Sequence, residues 1–338
     1  MTGHRNYRTD VPKRVMMLLI AVGLAVLAPG AAAGAQSSDG PSQVFVGAFV
    51  NDVKEVHLES NDFSIDLYVW FRWSDPDINP AVSIEPMNPR DAWLVETPLY
   101  DEPEQLSDGS YYNVVRFIGS FSTKLPLEDY PFDRQVLTVI LEDAELPTTE
   151  LVYVADPLSP TDADPDIEIP GWRWDDPTVT VVAQDYPGNW GNIDDADGDA
   201  YSRVLIEIPV HRPEVSSAIK MFFPLGLVLL TGVLTFFLPP RMVESKIGTA
   251  ITALLTLVAL QFTVMGALPA VGYLTMIEII YTLSYMFVLY TLAMSIYTAW
   301  SKRDPDSREA VRFDRRSVAY GVGVYLAAVT ATLVGYLT

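Results

Sequence analysis

After residue 214 the chain changes character, and that change limits what it can fold into more than anything else in its 338 residues. Four apolar stretches follow: Val215 to Leu238 carries only Lys220, Lys246 to Leu268 forms a second, Tyr273 to Trp300 carries only Glu278, and Val318 to Leu337 carries no charge. Each reaches the length of about 20 residues that a helix needs to cross hydrocarbon. Helices of about 215–238, 246–268, 273–300 and 317–337 are therefore predicted within a membrane domain at 215–338, with a loop at 301–316. Lys and Arg concentrate on alternate connections: Arg241 lies in one, and Lys302, Arg303, Arg308, Arg312, Arg315 and Arg316 in the other. The linker Pro269 to Gly272 carries no charge. The positive-inside rule places the basic loops in the cytoplasm, and the N-terminal domain and C-terminus on the extracytoplasmic side.

The N-terminus leads to the same orientation. Arg5, Arg8, Lys13 and Arg14 precede the apolar run Val15 to Leu27, and Ala33-Gly34-Ala35 resembles a cleavage site. Residues 1–35 are expected to be a signal peptide, with an uncleaved anchor as the alternative. Residues 36–214 carry 36 Asp and Glu against 9 Lys and Arg, a net of −27. Such a domain repels nucleic acid and attracts small cations. Cysteine is absent, which removes disulfides, thiolate metal sites and a cysteine nucleophile.

Between residues 41 and 214 short Val, Ile, Tyr and Phe runs alternate with polar residues, as in Phe63 to Trp70 and Gln135 to Val139. Pro, Asp, Asn and Gly clusters separate them. The pattern predicts an antiparallel all-β sandwich, immunoglobulin-like in architecture, ahead of an all-α four-helix membrane domain.

The segment Glu244 to Phe262 has a gradient that a lipid-facing helix would not need. Helical spacing puts Glu244, Gly248, Thr252, Leu255, Ala259 and Phe262 on one stripe, polar or small below and apolar above. A pore lining uses such a stripe: a charged ring selects ions and an apolar constriction gates by dewetting. Close packing in a bundle is the alternative.

The chain then resembles the pentameric ligand-gated ion channels, the Cys-loop receptor superfamily, in its bacterial branch. Tyr130-Pro131-Phe132-Asp133-Arg134-Gln135 is similar to the family's aromatic-Pro-aromatic-Asp-x-Gln signature. The positions of the bracketing cysteines of animal members hold Thr123 and Leu137. Trp73-Ser74-Asp75-Pro76 resembles a strand-ending element, although Asp77 replaces the usual Arg. Gly171-Trp172, the spacing of Arg212 to Pro224, and Leu268-Pro269 also fit.

The resemblance implies a homopentamer in a bacterial inner membrane, multi-pass, made with four further copies of the chain. It also implies an agonist site between neighbouring extracellular domains, coupled to a gate in the second spanning helix. Glu244, Gly248 and Thr252 are then expected to line a cation-selective pore, since an acid at this level accompanies cation conduction in the family. Leu255, Ala259 and Phe262 are expected to form the gate. Tyr68, Tyr186, Trp190 and Tyr201 are expected to enclose a small-molecule agonist. Glu59, Asp62, Asp133, Arg212 and Pro269 are expected to couple the domains. Three further readings come from the residues themselves. Asp194, Asp195, Asp197 and Asp199 around Gly198 suit a Ca²⁺ site that would modulate the channel, or a solvated loop. Glu278, His57 and His211 are candidate pH sensors, which would make the proton an agonist, or else Glu278 pairs with Lys220. No cofactor is expected. Two other functions compete: a non-conducting receptor or sensor, and an exported enzyme on a membrane anchor, for which no nucleophile motif or phosphate loop is present.

Overall fold

A computed structural model describes residues 40–90, 95–188, 198–239, 241–266, 268–301 and 308–337. The described strands are β1 (Ser42–His57), β2 (Asp62–Trp73), β3 (Ile84–Pro86), β4 (Val95–Pro98), β5 (Glu104–Gln105) and β6 (Tyr111–Ser122). They continue with β7 (Arg134–Asp143), β8 (Leu151–Ala155), β9 (Thr161–Ala163), β10 (Arg173–Trp174), β11 (Thr178–Asp185) and β12 (Ala200–His211). One sheet runs β4-β6-β2-β1-β8, with β5 on β6 and β9 on β1. The other runs β10-β12-β7-β3, with β11 also on β12.

Side-chain alternation decides which face each strand buries. In β2, Phe63, Ile65, Leu67, Val69, Phe71 and Trp73 point inward. In β12, Val204, Ile206, Ile208 and Val210 do the same from the second sheet. These rows meet in one core, where a two-residue period buries one face and leaves the other free for function.

The helices are α1 (Pro80–Ser83), a single turn, then α2 (Glu214–Leu234), α3 (Val243–Met265), α4 (Met276–Ser301) and α5 (Arg308–Leu337). A 3₁₀ turn, Thr235–Phe237, extends α2. All four long helices are apolar and long enough to cross a membrane.

Their limits differ from the hydropathy reading because caps, rather than apolarity, end helices. The third span starts at Met276 instead of 273, since Thr275 and Glu278 form a capping box. The last starts at Arg308 instead of 317, so helix occupies much of the expected 301–316 loop. Its first turns bury Ala310 and Asp314, and that inward face supports helix beyond the apolar span.

Sandwich and helices dock through the loop before β7. The Leu127 amide of this loop donates to the Tyr273 hydroxyl oxygen at 2.9 Å. The Met276 amide donates to the Glu128 carbonyl at 2.8 Å, and Phe132 stacks on Phe222 of α2.

Candidate functional site

The polar stripe of α3 is the open face of that helix. Its opposite face, Lys246, Ala250, Ala253 and Leu257, is buried in the bundle, and the two alanines let neighbouring helices approach closely. Glu244, Gly248, Thr252, Leu255, Ala259 and Phe262 are all exposed in the protomer, Leu255 by 64% and Phe262 by 73%. Thr252 and Thr256 return their hydroxyl protons to the carbonyls of Gly248 and Thr252, at 2.9 and 2.8 Å. These hydroxyls therefore need no partner from another helix, and their lone pairs stay available to water.

Lys246 lies two residues from Glu244 but points the other way. Its ammonium meets the Asp314 carboxylate of α5 at 2.5 Å, and Thr298 of α4 donates to the other carboxylate oxygen at 2.8 Å. Lys246 and Asp314 are 1% and 2% exposed. The cluster neutralises the lysine inside the bundle, so Glu244 presents its charge on the open face without that cation beside it. Asp314 escaped the sequence reading because it stands among Arg312, Arg315 and Arg316 and its partner is 68 positions away.

At the domain junction Asp133 accepts from Arg212 Nε at 2.7 Å and from Gln135 Nε2 at 2.7 Å. The Arg212 guanidinium lies 4.1 Å from the Trp172 ring centre and 5.0 Å from that of Tyr130. The expected Asp133–Arg212 contact is therefore present in the structure. Glu59 and Asp62 do not join it: Asp62 accepts from Ser60 and lies 3.6 Å from His57 Nδ1, and no ion pair links either acid to Arg212. The turn between β1 and β2 ties its acids locally instead. Pro269 sits in the α3–α4 connection, four residues before Tyr273.

The candidate agonist residues fall on two different sheets. Tyr186 and Tyr201 meet edge to face at 5.8 Å beside β12. Tyr186 donates to Glu142 at 2.9 Å, and Arg203 donates to both Glu142 and the Tyr186 oxygen. Burial, reinforced by that carboxylate, raises the Tyr186 hydroxyl above the ordinary phenol range and keeps it a donor. Glu142 and Arg203 were missed from sequence, since only the β7–β12 register sets them opposite each other. Tyr68 stands on the other sheet under the Arg116 guanidinium, at 5.1 Å, so the protomer does not bring it to Tyr186. Trp190 lies outside the described residues.

Beside Tyr68, Arg116 grips Asp66 with two hydrogen bonds of 2.9 and 2.7 Å. That grip holds the Asp66 carboxyl below its usual range. A depressed folded pKa stabilises above the ordinary carboxylate value, and the contribution is lost as pH falls through the folded one. Thermal melts taken from about pH 5 to about pH 3 should therefore fall less steeply in Asp66→Asn than in wild type.

Asp194, Asp195 and Asp197 also lie outside the described residues, and among the described residues no acid or His cluster could hold a metal. Gly198 has a conformational role: at φ 72° a Cβ would come within 2.2 Å of the Tyr186 carbonyl. Glu278 is not paired with Lys220. Its carboxylate accepts from the Thr275 amide and hydroxyl at 2.8 and 2.9 Å, at the first turn of α4. His57 contacts Glu55 at 2.9 Å, and His211 Nδ1 lies 3.5 Å from Asp175.

No family model matches the chain. Curated relatives do. An acetylcholine-gated chloride channel subunit of Caenorhabditis elegans is 22% identical over 274 residues, 75% of this chain and 57% of the relative. A glutamate-gated chloride channel of Drosophila melanogaster is 19% identical over 73% of this chain and 56% of its own length. The human gamma-aminobutyric acid receptor subunit gamma-3 is 21% identical over 75% of this chain and 56% of its own length. The chain spans a little over half the length of these relatives. At this low identity it is similar to subunits of ligand-gated channels, and with four spanning helices it is a multi-pass membrane protein.

Proposed function

We propose that this chain is the subunit of a ligand-gated ion channel, assembled as a homopentamer around α3. The open, graded face of α3 carries the reading: an acid at one end, hydroxyls along the middle and Leu255 and Phe262 towards the sandwich. A membrane anchor or non-conducting sensor has no use for that order, whereas a pore uses each part of it. Agonist would bind between neighbours, with Tyr186 and Tyr201 offered by one copy and Tyr68 by the next. The aromatic rings favour a small cationic amine. The sandwich and C-terminus would face the extracytoplasmic side of a bacterial inner membrane, by loop charge.

For selectivity we propose cations. Glu244 is exposed at the pore end of α3, and Lys246 is neutralised by Asp314. A second reading, anion conduction, is favoured by the two chloride channels among the relatives. Reversal potentials of reconstituted protein in asymmetric NaCl decide between them. Cation selectivity puts the reversal near the Na⁺ potential, and Glu244→Gln should lower the Na⁺/Cl⁻ permeability ratio several-fold. A wild-type reversal near the Cl⁻ potential would overturn the proposal.

A further inference from the structure

Side-chain hydrogen bonds tie α3 to its neighbours at two heights. The threonines of the helix take no part, because Thr249, Thr252, Thr256 and Thr263 donate to α3's own carbonyls one turn back, at 2.8 to 3.0 Å. Among the described residues, the α3 side chains that hydrogen-bond another helix are Lys246 and Gln261. Lys246 meets Asp314 of α5 at the lower end. Near the upper end the Tyr285 hydroxyl of α4 donates to the Gln261 amide oxygen at 2.6 Å. About 22 Å of helix separates the two ties. Between them α3 turns Ala250, Ala253 and Leu257 inward, and these side chains pack without polar contact.

The two ties differ in kind. The lower one is a fully buried ion pair, and parting it would strand two charges inside the bundle. The upper one is neutral, and both of its residues are half-buried. Gln261 precedes Phe262, which is 73% exposed on the open face of the helix. A small turn of α3 therefore carries the Gln261 amide from Tyr285 to water on that face, which replaces the lost hydrogen bond. The upper tie can release while the lower one stays closed. Tyr285 also belongs to a helix that the sandwich grips directly: the Met276 amide at the start of α4 donates to Glu128, and Tyr281, one turn before Tyr285, packs in the same cluster as Tyr130. A shift of the loop before β7 thus reaches Gln261 through α4.

We propose, on the channel reading of α3, that Gln261 and Tyr285 form the latch of the closed gate. Opening breaks this one neutral hydrogen bond and leaves the Lys246–Asp314 pair intact, so the outer half of α3 moves and its lower end does not. Tyr285 is a positioning residue: it touches no ion and acts by fixing the angle at which α3 presents Leu255 and Phe262. The bond has two arrangements, Tyr285 or water as the partner of Gln261, which is what a bistable element needs.

Planar-bilayer recordings without agonist test the latch, in the wild-type chain and in a Leu255→Thr background where openings are frequent. Tyr285→Phe removes the donor and keeps the ring, and Gln261→Leu removes the acceptor. Each should raise the ratio of open to closed time at least about fivefold, a shift of about 1 kcal/mol. Tyr285→Phe should leave single-channel conductance and reversal potential unchanged. The two substitutions together should do no more than either alone, because they remove the same bond. Tyr325→Phe deletes a comparable neutral contact, to Ser284 at 3.0 Å between α5 and α4, and should leave the ratio as it was. An unchanged ratio in Tyr285→Phe, additive effects of the two substitutions, or an equal effect of Tyr325→Phe would overturn the latch and leave the channel reading standing. Silence of every variant, Leu255→Thr included, would remove both.

Discussion

Asp314→Ala is expected to be the most damaging single change in the membrane domain. It leaves the Lys246 ammonium buried with no carboxylate, and breaking one side of a buried pair costs about 3–5 kcal/mol. Lys246→Met should cost a similar amount by stranding the Asp314 carboxylate, whose remaining partner, Thr298, supplies one hydrogen bond. The double change Lys246→Met with Asp314→Leu replaces the pair by apolar groups of similar volume and should recover most of the loss. Thermal unfolding of the three variants in detergent, monitored together with their assembly size, checks this. Equal damage in the single and double variants would show that the pair acts by something other than mutual neutralisation. The pair also reaches the selectivity proposal: a lysine freed from Asp314 would sit two residues from Glu244 and oppose its charge.

Leu255→Thr should have the largest effect on conduction. Leu255 is 64% exposed at the middle of the open α3 face, where five copies would form an apolar constriction. Adding a hydroxyl to each side chain lets water remain in the constriction, so the closed channel loses its dry barrier. The expected outcome is basal current without agonist, with the closed-to-open equilibrium moved at least tenfold, or about 1.4 kcal/mol. Recordings from planar bilayers with and without the substitution read it directly. Unchanged basal current would remove Leu255 from the gate. Phe262→Thr, two turns nearer the sandwich, separates a single constriction from a distributed one.

How much of this was readable in the chain depended on whether a feature repeats. The alternation in β2 and β12 and the length of the four apolar stretches repeat, so the sandwich and the helices could be placed without coordinates. The α3 stripe was readable for the same reason. Features that depend on one distant partner were not. Glu142 and Arg203 meet through strand register, and Lys246 meets Asp314 across 68 positions. The partner of Glu278 was misread although its signal was local: Thr275-Met276-Ile277-Glu278 has the spacing of a capping box, but hydropathy placed the helix start three residues too early and set the acid inside the span, where Lys220 looked like its partner. Asp62 beside Arg212 was a different error. It assumed that two turns at the junction touch, whereas Ser60 and His57 hold Asp62 at its own turn.

The strand β12 ends at His211 and α2 begins at Glu214, with only Arg212 and Pro213 between them. Tyr201 stands near the other end of the same strand, ten residues away. Backbone in a strand already rises about 3.3 Å per residue, close to the limit of an extended chain. It has almost no slack to give. A pull on Tyr201 therefore cannot be absorbed by stretching and arrives at Arg212 undiminished, which makes β12 a tie rod between the aromatic pair and the first spanning helix.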